Sequence, residues 1–275
     1  MSSSRPPRPT PLKRYGQNHL VDTNTLKAIV RMAAVQPDDV VLEVGPATGQ
    51  LTKHLVAKAA LVHAFEIDAR FADGLQSLAT EHTNLRVHMG DALKSPLDRL
   101  DPAPTALVAN LAYNIAIPLI MTTIVELPSL HRWAVMVQKE LGERLFAEPS
   151  TKAYSAVSVL AQLACRFESS RFVARSVFSP QPRVDSLFVT FVRREAGDAV
   201  APADYAALSA LVRRAFSQRR KLITNSLAGL TGGGRTISRD EIVDALAALS
   251  LPPTTRPEEL TPPVFIDLAR ELKWI

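Results

Sequence analysis

The chain of 275 residues holds a single cysteine, Cys165, which excludes an intrachain disulfide. It closes the apolar run 155–165, SAVSVLAQLAC, so a thiol packed in a core is expected, and with it a reducing, cytoplasmic location. No uninterrupted apolar run reaches the ~18 residues that a membrane-spanning helix needs. The polar start, MSSSRPPRPTPLKR, lacks the apolar segment of a secretory leader, and no membrane partner is expected. The six histidines, at 19, 54, 63, 82, 88 and 131, show no ligand spacing, so no metal is expected. Internal repeats and coiled-coil heptads are also missing. Acids are absent from two short stretches: the first fourteen residues hold Arg5, Arg8, Lys13 and Arg14, and Arg213, Arg214, Arg219, Arg220 and Lys221 fall within nine. With a net charge of +5, both stretches predict patches that face a polyanion.

What is present is apolar in the right amount and the right order. A hydrophobic content of 47% suffices for one large domain and a small one. Prolines at 6, 7, 9 and 11 deny helix hydrogen bonds, so residues 1–11 read as a mobile basic arm. From Val40 short apolar runs alternate with helical periods: VVLEV at 40–44, LVHAFE at 61–66, LRVHM at 85–89, ALVAN at 106–110 and WAVMVQ at 133–138. Strand, helix, strand, repeated, predicts a parallel sheet covered on both faces: a Rossmann-like α/β domain over 12–194. The stretch 195–204, EAGDAVAPAD, reads as a linker. Residues 205–275 read as an all-helical domain, with capping boxes at Ser238–Glu241 and Thr255–Glu258 and a helix continuing through Arg213 to Lys221.

In such sheets ligands sit beyond the carboxyl ends of the strands. There the chain places the turn Gly45-Pro46-Ala47-Thr48-Gly49, Glu66, the pair Gly90-Asp91, and Asn110-Leu111-Ala112-Tyr113-Asn114. The turn misses the G-x-G-x-x-G of a dinucleotide fold because Ala47 holds the second glycine position, which argues against pyrophosphate. Glu66 is placed to accept both hydroxyls of a ribose, and Asp91 to accept from an adenine amino group. The Asn110 motif suits chemistry on an exocyclic amine. The lone pair of such a nitrogen is delocalised into the ring, and two acceptors holding both amine protons localise it as the nitrogen becomes tetrahedral. The Asn110 side-chain oxygen and the Leu111 carbonyl are the candidate acceptors, with Tyr113 stacking on the base.

Across nearly its whole length the sequence resembles the ribosomal RNA adenine N6-dimethyltransferases, which modify two adjacent adenines near the 3′ end of small-subunit rRNA. The resemblance rests on the opening motif from Tyr15 to Leu20, the turn at 43–49, Glu66-Ile67-Asp68, Gly90-Asp91-Ala92 and Asn110 to Ile115. Met136 to Glu140, Phe178 to Ser186 and Phe216 to Lys221 complete it. It implies that S-adenosylmethionine is the cofactor, held by Asn18, Leu20, Gly45, Glu66, Asp91 and Asn110, and that Tyr113 and Phe178 sandwich the target adenine. It further implies binding of small-subunit rRNA and of a small-subunit precursor, by a monomer that takes part in ribosome biogenesis, with Arg213, Arg214, Arg219, Arg220 and Lys221 on the RNA. His19, Ala47 and Ala112 depart from the phenylalanine, glycine and proline usual in the family, and the last two bear on cofactor affinity. Two readings compete on the same fold. One is the antibiotic-resistance branch that dimethylates large-subunit rRNA, and the other is a non-catalytic assembly or nucleic-acid-binding protein.

Overall fold

The structure is a computed structural model describing residues 18–195, 200–218 and 221–275. The expected arm, the centre of the expected linker, and Arg219 and Arg220 lie outside the described residues. In chain order the elements begin with β1 (His19–Leu20), α1 (Thr23–Met32), β2 (Val40–Val44), α2 (Gln50–Val56), β3 (Leu61–Glu66), α3 (Ala72–Glu81) and β4 (Leu85–Met89). Then come β5 (Ala106–Asn110), α4 (Ala116–Glu126), β6 (Arg132–Gln138), α5 (Lys139–Leu145), α6 (Ala156–Ala164), β7 (Cys165–Val173), β8 (Phe178–Ser179) and β9 (Ser186–Arg193).

Seven of these strands form one sheet in the order β4-β3-β2-β5-β6-β9-β7. The first five run parallel, and β9 pairs antiparallel with β6. β2 and β3 are buried at every position because helices cover both faces, which is why they read as continuous apolar runs. The edge strands β4 and β7 are largely open to solvent and correspondingly mixed in composition. At the centre, Trp133 stacks on Phe191 with ring centroids 5.3 Å apart and donates its indole N–H to Thr123. Asp22 caps α1, accepting from the Thr25 amide at 2.6 Å. Gly49 caps α2 at φ +74°, where a Cβ would strike Leu78 at 2.9 Å, so the position demands glycine twice over.

The chain divides into two compact units, and the division corrects the expected boundaries. The described residues up to Gly142 together with Glu168–Val192 form the first; Glu143–Phe167 and Arg193–Ile275 form the second. The segment 143–167 thus leaves the expected catalytic domain. It joins the second unit through bonds such as Tyr154 Oη to the Leu260 carbonyl and Tyr205 Oη to the Leu160 carbonyl. Cys165 is buried there, and burial pushes its thiol up to about 12.

The second unit continues with α7 (Pro202–Phe216), α8 (Ile223–Leu227), β10 (Thr231–Gly232), β11 (Arg235–Thr236), α9 (Arg239–Ala248) and α10 (Pro262–Glu271). It is not all-helical: β10 and β11 form a small antiparallel hairpin turned by Gly233 and Gly234, both at positive φ. α7 begins inside the expected linker and ends at Phe216 rather than running through Lys221. Ser217 forms its C-cap, the hydroxyl bonding back to the Arg214 carbonyl at 2.7 Å. The Ser238–Glu241 capping box forms reciprocally. The second expected box shifts by one residue, to Arg256–Glu259, because Thr255 bonds back to Pro252 instead.

Candidate active site

The order of strand addition reverses between β2 and β5, and the loops leaving their carboxyl ends part to opposite faces. The crevice so made is a cavity of about 300 Å³, within the range of small-molecule sites. It collects Asn18, Gly45, Glu66, Asp91, Asn110, Leu111 and Tyr113, which the chain supplies from five separate segments.

Gly45 turns the chain out of β2 at φ +77° and donates its amide to the Phe65 carbonyl at 2.9 Å. Ala47 also adopts a left-handed conformation, φ +50°, which costs an alanine roughly 1 to 2 kcal/mol. That twist aims its amide at Glu66 Oε2, 2.9 Å away, while Oε1 accepts from the Asp68 amide at 2.9 Å. Burial raises the Glu66 pKa, and the Asp68 and Ala47 amides pull it back. With these amides engaged the carboxylate still has acceptor capacity left for a ligand. Asp91 follows Gly90 at the end of β4; its Oδ1 accepts from the Leu93 amide at 3.0 Å and Oδ2 lies 3.7 Å from Lys94. Ile67, Ala92 and Ile115, to which sequence reasoning gives no individual role, add apolar wall. Ile67 is 45% exposed, large for an isoleucine immediately after a buried acid, and that exposure is a signal only the structure supplies.

On the other side, Asn110 ends β5 and donates its Nδ2 to the Asn18 carbonyl at 3.0 Å. The bond fixes the amide orientation, since a carbonyl can only accept, and leaves Oδ1 with no donor among the described residues. The Leu111 carbonyl likewise receives no described donor, while its amide bonds to Met136. Tyr113 is half-buried. Its hydroxyl meets Ser186 Oγ at 2.9 Å, and burial raises its pKa, so it remains a neutral phenol. Ser186, wholly buried at the start of β9, is a site residue that sequence reasoning misses; nothing local marks it, because its partner lies 73 residues away.

Two expected residues are not in the cavity. Phe178 is 4% exposed and packs in the hydrophobic core instead of lining the cavity. The reason is strand register: β1 pairs antiparallel with β8, Leu20 opposite Phe178, and cross-strand partners share a face. That face is the core, which takes Leu20 inward as well, to the wall of a second cavity of about 50 Å³. Its floor includes Glu43, whose carboxyl is wholly buried, pushed up to about 8 by burial, and has Oε2 without a partner among the described residues.

In the second unit Arg213, Arg214 and Lys221 are exposed, and none makes an ion pair with a described residue. Arg213 bonds to Ser209 and Arg214 to the Ala228 carbonyl. No cluster of three or more potential metal ligands occurs among the described residues. No described helix is long and apolar enough to cross a membrane.

Comparison with known proteins agrees with this geometry. A "Ribosomal RNA small subunit methyltransferase A" of Rubrobacter xylanophilus is 42% identical over 270 residues, 98% of this chain and 97% of that one. Among solved structures, a dimethyladenosine transferase from Plasmodium falciparum superposes with a TM-score of 0.78 at 27% identity, covering 93% of this chain and 98% of its own. The 23S rRNA methyltransferase ErmE superposes with a TM-score of 0.69 at 26% identity, covering 93% and 100%. The description "Ribosomal RNA adenine dimethylase" matches residues 11–251. A cavity at the switch point, two unengaged acceptors beside a half-buried tyrosine, and a match over nearly the whole chain place this protein in the ribosomal RNA adenine dimethylase family.

Proposed function

We propose that the protein transfers methyl groups from S-adenosylmethionine to the N6 amines of two adjacent adenines near the 3′ end of small-subunit rRNA. The observation that carries this reading is the pair of acceptors on consecutive cavity residues, Asn110 Oδ1 and the Leu111 carbonyl, with no donor among the described residues. The cavity fits the cofactor: Glu66 keeps lone pairs for a ribose, Asp91 offers Oδ2, Ile67 and Ala92 offer apolar wall to a purine, and Gly45 admits close backbone approach. When bound, S-adenosylmethionine supplies an electrophilic methyl group. Asn110 and Leu111 would accept hydrogen bonds from both N–H groups of the target amine and so draw its lone pair out of the ring. Tyr113, steadied by Ser186, gives a face for the base to stack on. After one transfer and loss of one proton to solvent, the nitrogen still carries one N–H, which one of the two acceptors can hold for the second transfer.

Arg213, Arg214 and Lys221, together with Arg219 and Arg220, bind phosphates in this reading; the three described ones have no carboxylate partner to neutralise them. The protein acts as a monomer in the cytoplasm on a small-subunit precursor. Incubation with S-adenosylmethionine and small-subunit particles, followed by mass analysis of the digested rRNA, tests the reading. Dimethyladenosine at two adjacent positions is expected. Monomethyladenosine alone, or product confined to large-subunit rRNA as the likeness to the 23S rRNA methyltransferase would have it, overturns it.

A further inference from the structure

β7 forms one edge of the sheet, beside β9, with Ser169 Oγ 2.8 Å from Thr190 Oγ1. Most of β7 is open on both faces up to the buried Val173, and Phe172 stands 54% exposed there. At that exposure its ring face is open to a stacking partner. Its flanks are cationic: Arg171 precedes it, Arg175 follows three residues on, and both are exposed. Neither arginine makes an ion pair with a described residue; Arg175 reaches only the Arg183 carbonyl, at 3.3 Å. The nearby carboxylate of Asp185 is occupied, its Oδ1 accepting from the Arg175 amide. The loop that begins after Val173 returns at Ser186, whose hydroxyl holds Tyr113. The segment that leaves the exposed aromatic thus leads to Ser186, the hydrogen-bond partner of the cavity residue Tyr113.

We infer that Arg171, Phe172 and Arg175 form a second RNA-binding surface, on the catalytic unit itself, which grips unpaired nucleotides flanking the target adenine. The chemistry commits it to RNA: an aromatic face stacks on any base, and guanidinium groups with no carboxylate partner take phosphates. It rests on the proposed activity for the identity of the RNA. It differs from the cluster around Arg213 in joining an aromatic to its cations, which suits single strands better than a duplex backbone.

The test is binding of a labelled small-subunit rRNA fragment carrying the two adjacent adenines, measured across a salt series for the full chain and three variants. Arg171→Ala/Arg175→Ala is expected to flatten the slope of log affinity against log salt by about 0.7 for each phosphate no longer neutralised. Phe172→Ala is expected to weaken binding roughly 5- to 100-fold and Phe172→Tyr to keep it at the wild-type level, because stacking needs only the aromatic face. Cofactor affinity and melting temperature are expected to stay at wild-type values in all three. Unchanged RNA affinity and salt slope in the alanine variants overturns the surface, whether or not the wild type methylates; absence of methylation by the wild type overturns the activity instead.

Discussion

At position 178 the family resemblance sets a phenylalanine against the target base, whereas the fold sets it in the core at 4% exposure. Its substitution therefore belongs to stability. Phe178→Ala is expected to destabilise the fold by about 3 to 5 kcal/mol, the usual result of emptying a buried aromatic site. A denaturant titration checks it, and a variant of wild-type stability with lost turnover would return Phe178 to the base. Glu43 presents the opposite case, a buried acid with an unpartnered oxygen. With its carboxyl pushed up from an ordinary 4.5 to about 8, the fold prefers the neutral form. The stability this group allows is complete below pH 4.5 and is lost as pH rises towards 8. Glu43→Gln is accordingly expected to leave stability unchanged at about pH 4.5 and to raise it by about 3 kcal/mol at neutral pH. Melting temperatures at the two pH values decide, and an equal shift at both would contradict the assignment.

Among the elements, β3 and β4 carry an internal titration. His63 Nε2 donates to the Pro102 carbonyl at 3.0 Å, so its Nδ1 must accept from His88 Nε2, also at 3.0 Å. The His88 ring stacks on Phe65 at 4.5 Å. Burial lowers both pKa values, with Arg86 adding to the effect and Asp101 opposing it at His63. The neutral pair clips the edge strand that ends in Gly90-Asp91. Its contribution is fully present above pH 6.5 and is lost as pH falls below that through the lowered folded values. Unfolding free energy measured from about pH 7.5 downward should drop more steeply for the wild type than for His63→Leu/His88→Phe. Parallel curves would mean that the pair does not control the acid limb.

At the scale of the whole molecule, the sheet was legible because strands such as β2 and β3, buried on both faces, write themselves as unbroken apolar runs. The polar residues that end those runs named most of the cavity, and Gly45, Glu66, Asp91 and Asn110 do line it. What escaped depends on pairings between distant segments. The β1–β8 register that turns Leu20 and Phe178 inward involves two residues per strand, too few to leave a pattern. Ser186 and Glu43 owe their surroundings to partners that only the folded sheet supplies. The end of α7 at Phe216 and the return of 143–167 to the second unit have no local mark in the sequence.

In this mechanism Asn110 Oδ1, oriented by the Asn18 carbonyl, accepts a hydrogen bond from the target amine. Single-turnover methylation of small-subunit particles by Asn110→Ala, with cofactor affinity measured separately by calorimetry, tests it most directly. Loss of one preorganised acceptor should slow methyl transfer by roughly 100- to 1000-fold. S-adenosylmethionine affinity should fall by a smaller factor, since Asn110 and the Asn18 it bonds also belong to the expected cofactor set. Methyl transfer at the wild-type rate, or a loss explained entirely by weaker cofactor binding, would contradict the account.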